Sequence, residues 1–119
     1  MKDTINHIKC EDIEYPLCFN LNVIEKIQNK YGSYEKWGEM TDGKSGSEVN
    51  IGAFKFGVLE MINEGIDIEN ENSKNQRNFI TDKQVGRIMT KVGMEHLLQK
   101  AQETVIESTK NDYDEEKNV

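Results

Sequence analysis

Proline occurs once in this chain, at Pro16, cysteine twice, at Cys10 and Cys18, and tryptophan once, at Trp37. Small secreted domains ordinarily carry several disulfides, so two cysteines point to a reducing compartment. No apolar run nears the ~20 residues that a bilayer-crossing helix needs. The residues after Met1 form no apolar stretch of the kind a signal peptide carries. The expectation is a soluble, cytoplasmic protein with no membrane partner. A basic run is missing as well. Asp and Glu outnumber Lys and Arg by 22 to 15, a net charge of −7, and such a field repels phosphate backbones. Binding to nucleic acid is therefore not expected. Hydrophobic residues make up 35% of the 119, against 31% charged, which fits one thin core under much solvated surface rather than an enzyme body.

What is present reads as an α+β chain, mainly α: an N-terminal β-hairpin packed on a bundle of four to five short helices. Residues 1–109 form a single domain, and the acidic stretch 110–119 is expected to be a disordered tail. Ile13, Tyr15, Leu17 and Phe19 alternate, which places them on one strand face. Glu11 and Asp12 supply the turn, and residues 4–10 the partner strand. Pro16 has no N–H, so the second strand needs a free edge beside it. Asn22, followed by Glu25, has capping-box spacing for a first helix, and Gly32 suits its end. Ser33 caps a short second helix carrying Tyr34, Trp37 and Met40. Residues 41–47 read as a loop.

A third helix is expected over 49–64, ended by Gly65, with Ile51, Phe54, Val58, Met61 and Ile62 as its core stripe. Residues 67–78, rich in Asn, Glu and Ser, read as a mobile loop. Thr81 to Gln84 is a capping box, with Ile80 and Val85 as its hydrophobic staple. Gly93 then separates that helix from a last one with Met94, Leu97, Leu98, Ala101 and Val105 inward.

Three patterns invite a chemical reading. Gly38, Gly43, Lys44 and Ser45 match Walker A spacing, in which backbone N–H groups and a lysine hold phosphates. That loop needs a buried strand before it and a helix opening at its end, and the residues before it read as helix. His7, Cys10, Cys18 and His96 include metal-binding types, but their spacing fits no common zinc pattern. Asp67, Glu69, Glu71 and Ser73 alternate like a calcium loop, yet Asn72 stands where the glycine belongs and Asn78 where the bidentate glutamate belongs. In each case the plain reading prevails: a polar loop, apolar-like cysteines with solvent-facing histidines, and a solvated acidic segment. No metal, no cofactor and no catalytic residue is expected.

Trp37 and Tyr34 either anchor the second helix on the core or offer aromatic surface to a partner. Phe56 and Leu59 lie off the third helix's stripe, so that helix is either buried on two sides or meets a partner there. Tyr34, Trp37, Phe56 and Leu59 are the candidate partner-binding residues.

The run Ile13-Glu14-Tyr15-Pro16-Leu17-Cys18-Phe19-Asn20 continues into Leu21-Asn22-Val23-Ile24-Glu25-Lys26-Ile27-Gln28 and then Tyr31-Gly32-Ser33. A middle helix follows, and Ile80-Thr81-Asp82-Lys83-Gln84-Val85-Gly86 opens the C-terminal helices. Over roughly residues 5–109 this resembles the tail assembly chaperones of long-tailed bacteriophages and prophages of low-GC Gram-positive bacteria. The resemblance implies a non-catalytic protein in the cytoplasm of the bacterial host. It would bind the tape measure protein, recruit tail tube subunits, and be absent from the finished virion. Self-association is also expected. The alternative is an acidic DNA-mimic inhibitor, which would need its carboxylates in an ordered array.

Overall fold

The computed structural model describes residues 4–44 and 48–117, with side chains described as far as Lys110. Two strands, β1 (Ile5–Cys10) and β2 (Ile13–Cys18), precede five helices: α1 (Leu21–Tyr31), α2 (Tyr34–Thr41), α3 (Ile51–Glu71), α4 (Asp82–Val92) and α5 (Met94–Lys117). This is the expected α+β, mainly α arrangement. Among the described residues no helix is long and apolar enough to cross a membrane. The helix backbone of α5 is described to Lys117, and the disordered tail expected over 110–119 falls almost wholly outside the described side chains.

The strands pair antiparallel from Ile5↔Cys18 to Cys10↔Ile13, so Glu11 and Asp12 are the two-residue turn. Glu11 takes a positive φ of 57°, which the tight connection requires and a glutamate tolerates poorly. The alternation expected for β2 holds only in part. Leu17 and Phe19 are fully buried, but Ile13 is exposed, and Pro16 and Cys18 are buried as well. The reason is that this end of the hairpin is covered on both faces. Pro16 lies against Gly65 of α3, while on the other face Asn6 donates to Thr104 Oγ1 of α5 at 2.9 Å. Among the described residues the sheet has two strands, which leaves β2 the free edge that Pro16 needs.

Helix α1 begins earlier than its sequence pattern implies. Asn20, not Asn22, is the N-cap, its Oδ1 accepting from the Val23 N–H at 3.2 Å. Asn22 instead joins Asn20 in donating to the Glu64 carboxylate of α3, at 3.0 and 2.6 Å. The N-caps expected for α2 and α4 are in place. Ser33 accepts from Lys36 N, and Thr81 and Gln84 form the reciprocal capping box. Gly32 and Gly93, at φ 96° and 98°, end α1 and α4. Ile80 packs against the core that buries Val85.

Helix α3 is the centre of the fold, touching the hairpin, α1, α2 and α4. It does not end at Gly65 but runs on to Glu71. A glycine in a helix interior costs about 1 kcal/mol relative to alanine, and here the missing Cβ makes room. A Cβ on Gly65 would stand 2.7 Å from Pro16 Cβ, and one on Gly57 would overlap Trp37 Cζ2. Phe54, Val58, Met61 and Ile62 form the buried stripe as anticipated, but Ile51 at the first turn is 59% exposed.

The segment after α3, expected to be mobile, is fastened instead. Asn63 Nδ2 donates to Ile80 O at 3.1 Å while its Oδ1 accepts from Ile80 N at 2.9 Å. Asn70, two turns further along α3, does the same to Arg77: both bonds are 2.9 Å. Each side-chain amide thus pairs with one backbone residue as a neighbouring strand would. Polar composition suggested disorder, but the partners of this segment's backbone sit on α3.

Thermal melting and hydrogen exchange test this account. Gly57→Ala and Gly65→Ala are each expected to lose about 1–3 kcal/mol through overpacking. Gly38→Ala in α2, where a Cβ would meet nothing within 4 Å, should gain up to about 1 kcal/mol. Asn63→Leu, which removes both bonds to Ile80, should raise amide exchange at Ile80 by about tenfold or more, leaving the rates of the hairpin amides unchanged.

Candidate functional site

A groove opens between α2 and α5, floored by α3. Trp37, Thr41 and Asp42 form one wall, Leu98, Val105 and Ile106 the other, with Phe54 beneath. Its volume is about 230 Å³, below the ~300–1,000 Å³ of ordinary ligand pockets. The space suits one or two apolar side chains of a docking segment rather than a cofactor. Most of its lining is aliphatic or aromatic. The rim is polar, with Asp42 and Gln102 beside it, and Lys44, whose N–H is held by Asp42 Oδ1 at 2.8 Å. Ile106, 59% exposed, stands at the α5 edge.

Trp37 fixes the α2 wall. Its indole lies across α3, and Nε1 donates to the Ala53 carbonyl at 2.8 Å. Gly57, one turn further on, leaves the ring its space. Thr41 closes the last turn of α2 by donating to Trp37 O at 2.9 Å. The opposite helix is held partly by polar contacts. Buried Thr104 accepts from Asn6 and donates to Lys100 O at 2.8 Å, and buried Ser108 donates to Thr104 O at 2.9 Å.

Of the four candidate contact residues, the structure brings Trp37 alone to this groove, as a core residue with 6% of its surface exposed. Phe56 is half-buried because α3 is covered on a second side. Tyr31 of α1 meets it edge-on with centroids 5.8 Å apart, and Lys30 Nζ lies 4.4 Å from its ring centre. Burial also pushes the Tyr31 hydroxyl pKa above its ordinary value. Tyr34 is half-buried edge-on to Phe19 at 6.3 Å, and Leu59 is half-buried against the core. The groove residue that sequence reasoning missed is Ile106. Its signal was an apolar side chain next to Val105 but off the inward stripe of α5.

The patterns with catalytic or metal-binding spacing are not assembled. Gly38 lies in the middle of α2, so the Walker-like residues follow a helix rather than a strand, and Ser45 lies outside the described residues. Asp67, Glu69 and Glu71 belong to α3 rather than to a loop, and Glu69 Oε2 is 3.0 Å from His7 Nε2. Cys10 and Cys18 are both buried, at opposite ends of the hairpin. Among the described residues no three His, Cys, Asp or Glu side chains converge as metal ligands do. No protein-family model, curated protein or solved structure matches this chain significantly.

Trp37 sets the groove through both volume and its hydrogen bond, and two substitutions separate these. Trp37→Ala should cost about 3–5 kcal/mol of stability in urea melts. Trp37→Phe, which keeps most of the ring and loses the bond to Ala53, should cost clearly less, about 1–2 kcal/mol. Equal losses would mean that the single ring phenylalanine retains contributes nothing to holding α2 on α3.

Proposed function

We propose that this protein is a phage tail assembly chaperone. It binds the tape measure protein during tail morphogenesis, recruits tail tube subunits, and performs no covalent chemistry. The observation that carries the reading is the apolar groove between α2 and α5, with Ile106 at its edge. A groove too small for a cofactor, apolar within and polar at its rim, suits the apolar face of a client helix. A chaperone must release its client, and a contact of one or two side chains per copy is weak enough for that. Several copies along one long client then hold it by multivalency. The acidic body keeps a coated client dispersed. The order of hairpin and helices also suits the resemblance drawn from residues 5–109. On this reading the protein acts in the host cytoplasm and leaves before the virion is complete.

Co-expression tests it. The phage's own tape measure protein, produced together with this chain, should gain solubility and co-purify with it. Ile106→Glu places a charge at the groove edge on an exposed site, so its effect on stability should stay within about 0.5 kcal/mol. Capture of the tape measure protein should nevertheless fall about tenfold or more, since burying that carboxylate is unfavourable. A client that stays insoluble with the wild-type chain would overturn the chaperone reading. Undiminished capture by Ile106→Glu would remove the groove from it.

A further inference from the structure

Phe79 is fixed in place with its ring in solvent. Among the described residues five large apolar side chains are exposed, and Phe79, at 57%, is the one aromatic among them. The backbone on both sides of it is fastened to α3. Asn63 holds Ile80, and Asn70 holds Arg77, each through both N–H and C=O. Arg77 is tied a second way: its Nη1 donates to Glu14 O of β2 at 2.9 Å, and its Cζ lies 5.2 Å from the centre of the Tyr15 ring. A ring on a backbone held like this has little freedom left to lose on binding, which is the condition for a preorganised contact. The surface around it is acidic. Glu60, Glu64, Asp67 and Glu71 recur at spacings of four, three and four along α3, which sets them on one face over about 16 Å. Phe79 borders two depressions that between them take in all four. Glu64 already accepts from Asn20 and Asn22, whereas Glu60, Asp67 and Glu71 form no ion pair among the described residues. Two cations share the rim: exposed Lys26 of α1, and Arg77, whose charge is drawn over to β2.

We propose that the face of α3 around Phe79 binds a basic amphipathic helix of another protein. The ring seats against an apolar side chain of that helix, and Lys or Arg residues on either side of it meet the carboxylates. A helix lying along α3 climbs with the same rise as the acidic stripe, so successive basic residues on one of its faces reach successive carboxylates. Phe79 is the anchor, an aromatic ring central to the contact. The stripe speeds encounter and fixes register. The basic residues of this chain's own α4, Lys83, Arg87 and Lys91, do not fit the description. The depression they line holds Gly86, Thr90 and Lys55 and no large apolar side chain to receive a phenyl ring. The Phe79 face shares no lining residue with the groove between α2 and α5, so it binds or fails to bind independently of the chaperone reading.

Fluorescence anisotropy with two synthetic helical peptides on the full chain tests the proposal. Both peptides place leucine on one face; the other face is lysine in the first and glutamate in the second. At about 0.15 M salt the wild type should bind the lysine peptide with 1:1 saturation, at least about tenfold more tightly than the glutamate peptide. Phe79→Ser should weaken that binding about tenfold or more with an unchanged melting temperature. Asp67→Asn with Glu71→Gln should weaken it about fivefold or more. Glu95→Gln with Glu107→Gln, the same change of net charge made on exposed sites of α5, should leave it within about twofold. Ile106→Glu should bind the lysine peptide as the wild type does. Equal binding of the two peptides would overturn the proposal, as would full binding by Phe79→Ser. Equal weakening by the two carboxylate pairs would reduce the effect to net charge and overturn it too. Loss of binding in Ile106→Glu would move the peptide to the groove. A change in the chain's own sedimentation on Phe79→Ser would put a second copy on this face. Either result would also overturn the proposal.

Discussion

The close approach of Trp37 and Pro16 to the backbone of α3 is the constraint on which the rest of the fold depends. At Gly57 the indole comes nearer to the helix than any side chain would allow, and at Gly65 the proline ring does the same. These contacts set the distance of α2 and of the hairpin from the central helix. With the hairpin seated there, β2 is sheathed on both faces and its last residues are buried regardless of alternation. With α2 seated, its wall stands opposite α5, and a groove remains where the two helices do not meet. A small domain with a thin core thus gains order from a few tight contacts rather than from a large apolar interior.

Local signals were legible in the sequence wherever the cause was local. Ser33, Thr81 with Gln84, Gly32 and Gly93 act within one turn of themselves, and each marks the boundary it implied. The two-residue turn at Glu11 and Asp12 is of the same kind. Gly65 could not be read that way. A glycine that ends a helix and one that admits a distant proline look alike until Pro16, far away in sequence, is in place. Asn20 and Asn22 were similarly ambiguous, because the carboxylate that occupies Asn22 belongs to Glu64 of α3. The segment after α3 looked mobile because its hydrogen-bonding partners, Asn63 and Asn70, lie outside it.

The site was legible in one wall. Trp37 stood out by its rarity, although its place in the core follows from Ala53 and Gly57, which sequence periodicity does not connect to it. Phe56 stood off the stripe for a structural reason, since α1 covers α3 on that side. The acidic stripe beside Phe79 stayed hidden, because Asp67 and Glu71 read as part of a loop and align with Glu60 and Glu64 only once α3 runs on past Gly65. Scanning for contiguous charge overlooks such a stripe, since a helix brings together residues that the sequence separates by two or three others.

The two asparagine clamps on α3 carry a consequence for how such a sequence drifts over time. Asn63 and Asn70 grip main-chain atoms of Ile80 and Arg77, and a main chain is the same whatever side chain it bears. Natural selection would then act on the two gripping amides and leave the stretch between the gripped residues freer to change. Asn78 and the exposed Phe79 are where lineages of this protein could diverge into different surfaces while the framework beneath stayed fixed.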